Sequence, residues 1–317
     1  MMDSLSKHNI PFGKFAEIRV GIQVLWVKAY HLKVLEIDDT NNLIKAKSSI
    51  DDKIIIEKDA CRSLVPNERF YSFRKDVDDT YAIFPYDIID EEKHPILFDD
   101  FCRRFPLAGA YLEKHKKTIQ DNIKDKKYKR NDSQRWHLYT RESHLETNYP
   151  KVLIPMTAND VYASVTLNDY YYCDNSNVNY TDIPEKTTEN LYAVASIFNS
   201  TIFSILARTI ANKQQNGYFK LNKQYLEPVL FPAYIFEKDK KIVEELANVG
   251  MELEEKQNEY IYAPPHKQKR IKKQLVDLWE MLDRITARAY QLNKTQEQYF
   301  KNIGRNIDRS EILDSIV

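Results

Sequence analysis

Residues 240–292 read KKIVEELANVGMELEEKQNEYIYAPPHKQKRIKKQLVDLWEMLDRITARAYQL, and their spacing decides the C-terminal architecture. Ile242, Leu246, Val249, Leu253 and Tyr260 keep a mostly four–three spacing, which lines one face of a helix. APPHKQ at 263–268 interrupts the pattern, and Ile271, Leu275, Leu278, Leu282, Ile285, Ala289 and Leu292 then resume it in steps of four and three. Two such helices joined by a short turn are predicted to pair as an antiparallel hairpin. The texture changes at 238, so two domains are expected: residues 1–236, and the hairpin and tail at 237–317.

Upstream of the hairpin, FAEIRVGIQVLWV (15–27), HLKVLEI (31–37), LIKAK (43–47) and DKIIIEK (52–58) read as short strands, punctuated by DDTNN and SSIDD. DTYAIFPYDII (79–89) reads as a further strand, and residues 98–123 as one helix opened by Asp99 and Asp100. Strands return in YPKVLIPM (149–156), YASVTL (162–167) and DYYYCDNSNVNYT (169–181). TTENLYAVASIFNSTIFSILARTIAN (187–212) then reads as one buried helix that starts at Thr187 or Thr188. The expected class is α+β, a mixed-sheet domain followed by the helical hairpin.

The 47 Lys and Arg balance 47 Asp and Glu, which excludes a uniformly cationic protein but not a basic face. Charge is in fact segregated. Residues 38–100 hold 16 acids and 9 bases, residues 111–137 hold 9 bases and 4 acids, and residues 207–226 hold 4 bases and no acid. Six glycines are too few for a glycine-rich dinucleotide fold, and 21 tyrosines against 14 phenylalanines favour amphipathic surfaces beside the core. Cys61, Cys102 and Cys173 form no recognisable disulfide or zinc framework. AVASIFNSTIFSILA (193–207) is too short and too polar to span a bilayer, and the opening residues lack an apolar secretory segment. A cytoplasmic setting with no membrane partner is expected.

Searches for catalytic groups return little. No glycine phosphate loop, nucleophile elbow or zincin helix is present, and His137 and His144 are seven apart, not at a metal-binding three or four. PYDIIDEEK at 85–93 offers Asp87, Glu91 and Lys93, a loose version of the carboxylate and lysine set of Mg²⁺-dependent nucleases. This is the alternative function, that of a restriction endonuclease subunit.

Bases interleaved with planar side chains are the stronger signal. YKRNDSQRWHLYTR (128–141) places Asn131, Gln134, Trp136, His137 and Arg141 where they could meet bases, beside Lys129, Arg130 and Arg135 for phosphates. NKQQNGYFKLNKQ (212–224) adds the amides Gln214, Gln215 and Asn216 beside Lys213, Lys220 and Lys223. Arginine pairs with guanine edges and amides with adenine, so such a mixture can read sequence as well as grip backbone. Two solvated loops, or a module whose basic loops bind protein, are the competing readings.

The order of segments resembles the TaqI-like C-terminal specificity domain, the target-recognition region of type II and type IIG adenine-specific DNA methyltransferases. FGKFAEIRVGIQ resembles the family's opening strand and glycine turn at Gly21, and YAIFPYD (81–87) its aromatic-Pro-Tyr-Asp strand. RWHLYTRES (135–143) and YPKVLIP (149–155) resemble the tryptophan–arginine segment and the strand after it. LYAVASIFNSTIF (191–203) is similar to the helix ending in Asn-Ser, here Asn199 and Ser200. NGYFKLNKQYLEPVLFP (216–232) resembles the Gly-aromatic loop, and LWEMLDRITARAYQLNKTQEQYF (278–300) the tail with its helical Asp and Tyr-x-Leu step, although Gln291 replaces the usual Gly.

The resemblance implies sequence-specific binding of double-stranded DNA. It also implies a separate adenine methyltransferase catalytic domain or subunit as partner, because no Asn-Pro or Asp-Pro dipeptide of the catalytic motif occurs. S-adenosylmethionine would belong to that partner, with no cofactor held by this chain. Lys124, Lys126, Lys127, Lys129, Arg130, Lys213, Lys220 and Lys223 are then expected on phosphates. Arg135, Trp136, Arg141, Gln214, Gln215 and Asn216 are expected at one groove, with a second reading of Trp136 as a core residue that anchors the basic segment to the sheet. Asn199 and Ser200 are expected to be structural, and Tyr260, Tyr262 and Trp279 to be candidates for a partner surface.

Overall fold

A computed structural model describes residues 5–65, 70–75, 79–123, 132–146, 149–167, 171–173, 178–214 and 217–304. Strands β1 (Ile10–Pro11) and β2 (Glu17–Val20) lead into a meander of β3 (His31–Asp38), β4 (Leu43–Lys47) and β5 (Ile54–Glu57). Next come β6 (Cys61–Val65), a small hairpin of β7 (Phe70–Tyr71) and β8 (Arg74–Lys75), and then β9 (Thr80–Ile83). The hairpin β10 (Tyr86–Ile89) and β11 (Glu92–Pro95) follows, then helices α1 (Phe98–Arg104) and α2 (Pro106–Asn122).

Two expected elements are split by proline. The strand at 79–89 divides at Phe84–Pro85, and the helix at 98–123 divides at Phe105–Pro106. Proline lacks the N–H that a continuing helix needs and instead suits the first position of a new one. The orphan amides of α2 are met from elsewhere: the Glu57 carboxylate accepts from Leu107 N at 2.9 Å and Ala108 N at 3.0 Å. This charge at the positive end of the helix ties α2 to β5. Two turns later Asp51 accepts from Lys114 and His115, and those bonds hold its carboxyl down at about 2.

The chain then forms β12 (Lys151–Pro155), β13 (Thr157–Ala158), β14 (Ser164–Thr166), β15 (Tyr171–Cys173) and β16 (Val178–Asp182). Helices α3 (Thr188–Phe198) and α4 (Thr201–Ile210) replace the single helix expected at 187–212, and they meet at 63°. Ser200 makes the break, because its hydroxyl accepts from Phe203 N and caps α4. Asn199 binds Ala163 twice, accepting from its N at 2.9 Å and donating to its O at 2.8 Å. Both residues are buried structural joints. Asn199→Ala should therefore lower unfolding free energy by about 1–3 kcal/mol, the cost of leaving buried groups unmet. A urea titration checks this, and a variant as stable as the parent would refute it.

Strands β17 (Phe219–Lys220) and β18 (Leu230–Phe231) precede α5 (Lys240–Tyr262), α6 (Pro265–Ala289) and α7 (Lys294–Gly304). The hairpin predicted from the heptads is α5 and α6, which pack on each other. The core, however, runs straight through residue 236. Leu246, Leu253, Leu275 and Leu282 share one apolar cluster with Phe12, Val152, Phe198 and Phe231. Ser196 Oγ donates to Leu246 O at 2.8 Å, and Gly250 lies where a Cβ would come within 2.6 Å of that hydroxyl, so α5 lies close along α3. Trp279 and Tyr260, expected as partner-facing, are buried, whereas Tyr262 is exposed.

The division instead falls between two cores. The first lobe stacks α3–α7 on a four-stranded sheet, order β14-β12-β16-β2. The second lobe has a six-stranded mixed sheet, order β15-β6-β9-β3-β4-β5, with β15 parallel to β6. The helices α1 and α2 complete its core with Trp136, Leu138 and Tyr139. Much of the tyrosine content is here: Tyr30, Tyr86 and Tyr139 are buried, with hydroxyls bonded to His137 O, Tyr139 N and Ile83 O respectively.

Three features join the lobes. At Gly21 the backbone passes so close to Cys173 that a Cβ would stand 2.0 Å from its carbonyl oxygen, and Ile22 N donates to that oxygen at 2.9 Å. The hairpin of β7 and β8, between β6 and β9 of the second lobe, puts Phe73 in the core of the first, where its ring lies 5.7 Å from Trp279. The third is a small cluster of Val65, Leu153, Cys173, Val178 and Tyr180 between the sheets.

Candidate nucleic-acid interface

Strand β2 is an edge of the four-stranded sheet, and its alternation sends Ile18 inward and Glu17 and Arg19 toward solvent. Around them opposite charges interlock. Arg19 pairs with Glu17 and Asp182 at 3.1 Å each, and Lys186 pairs with Asp182 at 2.8 Å. Lys223 reaches Glu17 at 2.7 Å and Glu227 at 3.6 Å, while Glu227 also accepts from Ile18 N at 3.2 Å. The hydrogen bond from Lys223 lowers the Glu17 pKa, and the same bond raises that of Lys223. Such exposed pairs are worth little in stability, but they leave Lys223 with two carboxylates in the place of a phosphate.

Two segments about 75 residues apart in sequence converge on this edge. One leaves the second lobe at Arg141, which forms an antiparallel bridge with Gln23 just beyond β2. It then runs back toward Arg19, and burial together with the Arg19 charge lowers the pKa of His144. The other segment is the loop at 212–223, which arrives at Lys223. At that edge Lys223 meets Glu17 in β2, and Arg141 meets Gln23 just past it.

The second loop is itself a hairpin. Lys220 N donates to Asn212 O at 3.0 Å, Gln214 N donates to Tyr218 O at 2.6 Å, and β17 pairs with β13 through Thr157↔Lys220. Its base is fixed by Arg208, which pairs with Asp160 at 3.0 Å and lies 5.5 Å over the Phe219 ring. Lys213, Tyr218 and Lys220 are exposed beyond that base, and Gln214 is half-buried. Tyr218 was not anticipated in this role; the Gly-aromatic pair at 217–218, inside an acid-free stretch, was the available signal.

The segment around Trp136 divides between core and surface, and Trp136 takes its core reading. Trp136 is a core residue, 2% exposed, packed 5.0 Å from Phe98 with the Lys116 ammonium 5.0 Å over its ring. His137 is fully buried, with Nε2 3.1 Å from Ile96 O. Gln134 is used up at the start of α1, where its amide donates to Asp99 at 2.8 Å and accepts from Asp99 N at 3.2 Å. Arg135 and Arg141 remain exposed. Lys124, Lys126, Lys127, Lys129, Arg130, Asn131, Gln215 and Asn216 lie outside the described residues.

The nuclease set does not assemble. In the β10–β11 hairpin Asp87 pairs with His94 and Ile88 with Lys93, so the Asp87 and Lys93 side chains leave opposite faces. Arg104 binds both oxygens of Asp87 at 2.6 and 2.8 Å and lowers its pKa, while Lys93 donates to Glu142 O. Glu91 sits in the two-residue turn with φ 62°. Among the described residues no group of three or more His, Cys, Asp or Glu could hold a metal ion.

No protein-family model matches the chain, and no curated protein matches it. Among the described residues no single helix is long and apolar enough to cross a membrane. The bent pair α3–α4 passes by length and composition together, but nearly all of its residues are buried.

Proposed function

We propose that this chain is a DNA target-recognition module, the specificity part of an N6-adenine methyltransferase of a restriction–modification system. The observation that carries this reading is a contrast in pairing. Around β2 the bases Arg19, Lys186 and Lys223 all have carboxylate partners, whereas Arg141, Lys213 and Lys220 are exposed and have no ion pair among the described residues. An unpaired surface cation meets a phosphate or a base edge without first breaking a salt bridge, and guanidinium presents the two donors that a guanine edge accepts. The loop with Lys213 and Lys220 suits the backbone, and Arg141, held at the sheet edge by its bridge to Gln23, suits a base.

The methyl transfer itself belongs to the partner. A catalytic domain or subunit holding S-adenosylmethionine would take the flipped adenine, while this chain fixes which adenine is presented. The cytoplasm supplies both DNA and that cofactor, and the three cysteines, all free thiols, suit its reducing conditions.

The test starts by selecting bound sequences from a random duplex pool and then competes every single-base variant of the selected site. Arg141→Ala should lose about 1–3 kcal/mol at one base pair and little elsewhere. A uniform loss across variants would make Arg141 a backbone contact. A pool in which no sequence is enriched would overturn the reading.

A further inference from the structure

A third basic surface lies away from the β2 edge, at the tip of the helical hairpin. Between Ala263 and Val276 the chain carries Lys267, Lys269, Arg270, Lys272 and Lys273 and no acid. Lys267, Lys269, Arg270 and Lys273 are exposed, and none has an ion pair among the described residues. The nearest acids in sequence are Asp277, four residues after Lys273, Glu280, seven after it, and Glu259, eight before Lys267, which Lys256 holds at 2.5 Å. At 100° per residue, Lys269, Arg270 and Lys273 fall within an arc of about 100° facing away from Ile271 and Leu275. Tyr262, 85% exposed, stands beside them where α5 ends.

Helix α5 touches α3 through Leu246–Ser196, Gly250–Ser196 and Glu254–Tyr192, so successive contacts move toward the N-terminus of α3. By Tyr262 the helix has run two turns past Glu254 and beyond the last of these bonds.

We infer that this tip is a phosphate-backbone site for duplex DNA, a second point of attachment that grips without reading sequence. The inference rests on the DNA-recognition reading above. Four exposed cations with no carboxylate among them match a duplex that carries one negative charge per about 1.7 Å of axis. A membrane surface fits less well, because an interfacial helix needs an open apolar face and that of α6, with Ile271, Leu275, Leu278 and Leu282, is buried. Tyr262 supplies a planar side chain that can pack on sugar or on a frayed base.

The experiment measures duplex affinity of the full chain against salt, using random-sequence duplexes of about three helical turns. It compares the parent with K267Q/K269Q/R270Q/K273Q and with the charge-preserving K267R/K269R/K273R. Glutamine keeps helix propensity, and far-UV circular dichroism should match the parent. The expected result is a salt slope lowered by about 3–4 units in the glutamine variant, equally for every sequence, and retained in the arginine variant. If the parent binds duplex and the glutamine variant keeps its slope, the tip site is wrong while the β2-edge reading stands. If the parent binds no duplex at any salt, both fall. Unchanged duplex binding with lost binding to phosphatidylserine vesicles would overturn the site in favour of a membrane surface.

Discussion

Gly21→Ala is expected to cost at least about 4 kcal/mol, or to leave no folded protein at all. The added methyl would meet the Cys173 carbonyl oxygen at 2.0 Å, its carbon at 2.4 Å and its Cβ at 2.8 Å. The first two are backbone atoms and cannot rotate aside. Relief requires β2 and β15 to part, which breaks the Ile22 N–Cys173 O bond at the joint between the lobes. Replacing glycine stiffens the unfolded chain and by itself would stabilise by about 0.4–1 kcal/mol, so the steric effect wins by a wide margin. Chemical denaturation of the purified variant decides the matter. A loss below about 1 kcal/mol would mean that the two strands slide apart at little cost.

Phe73→Ala should lower stability by about 3–5 kcal/mol, the usual range for emptying a buried phenylalanine site. The ring is fully buried in the first lobe although the hairpin that carries it lies in sequence between β6 and β9 of the second, and it rests on Trp279 beside Gly250. Its backbone sits at φ 54°, a conformation that bulky residues rarely adopt, so insertion of the ring must outweigh that strain. The same change should split one unfolding transition into two, since each lobe keeps its own core. Near-ultraviolet and far-ultraviolet melts that still coincide in a variant of parental stability would contradict this role.

The heptads at 242–292 were legible because a surface hairpin keeps one wet face, and the alternation in HLKVLEI was legible for the same reason. The breaks at Pro106 and Ser200 were written in the sequence as well, but unbroken apolar runs on either side concealed them. What could not be read was use. Gln134, Trp136 and His137 look like a reader of bases, and only packing from α1 and α2, forty residues upstream at their start, makes them a helix cap and core. The motif residues that carry the family resemblance behave alike. Asp283 accepts from Thr201 N at 2.9 Å and from its hydroxyl at 2.6 Å, and Tyr290 donates to Leu230 O at 2.8 Å. These residues mark joints, whereas the candidates for recognition fall in the loops between them.

The pairing of Gln23 with Arg141 has a consequence for exchange. The chain enters the second lobe near Gln23 and first leaves it at Arg141, returning only with Leu145 and β15, and the two residues are neighbours, so the stretch between them is an insert in the first lobe. Inserts with adjoining ends can be lifted out and replaced without moving the host's own strands. Here a graft at those two residues has two further fittings to respect. It must offer a strand edge to β15 and a pocket for Tyr172, which is buried in the second lobe's core with its ring 5.2 Å from that of Phe84. It must also bring a side chain to fill the socket between Gly250 and Trp279, which asks for a ring of the size of Phe73. A new binding preference could thus be installed whole, through one seam and one plug.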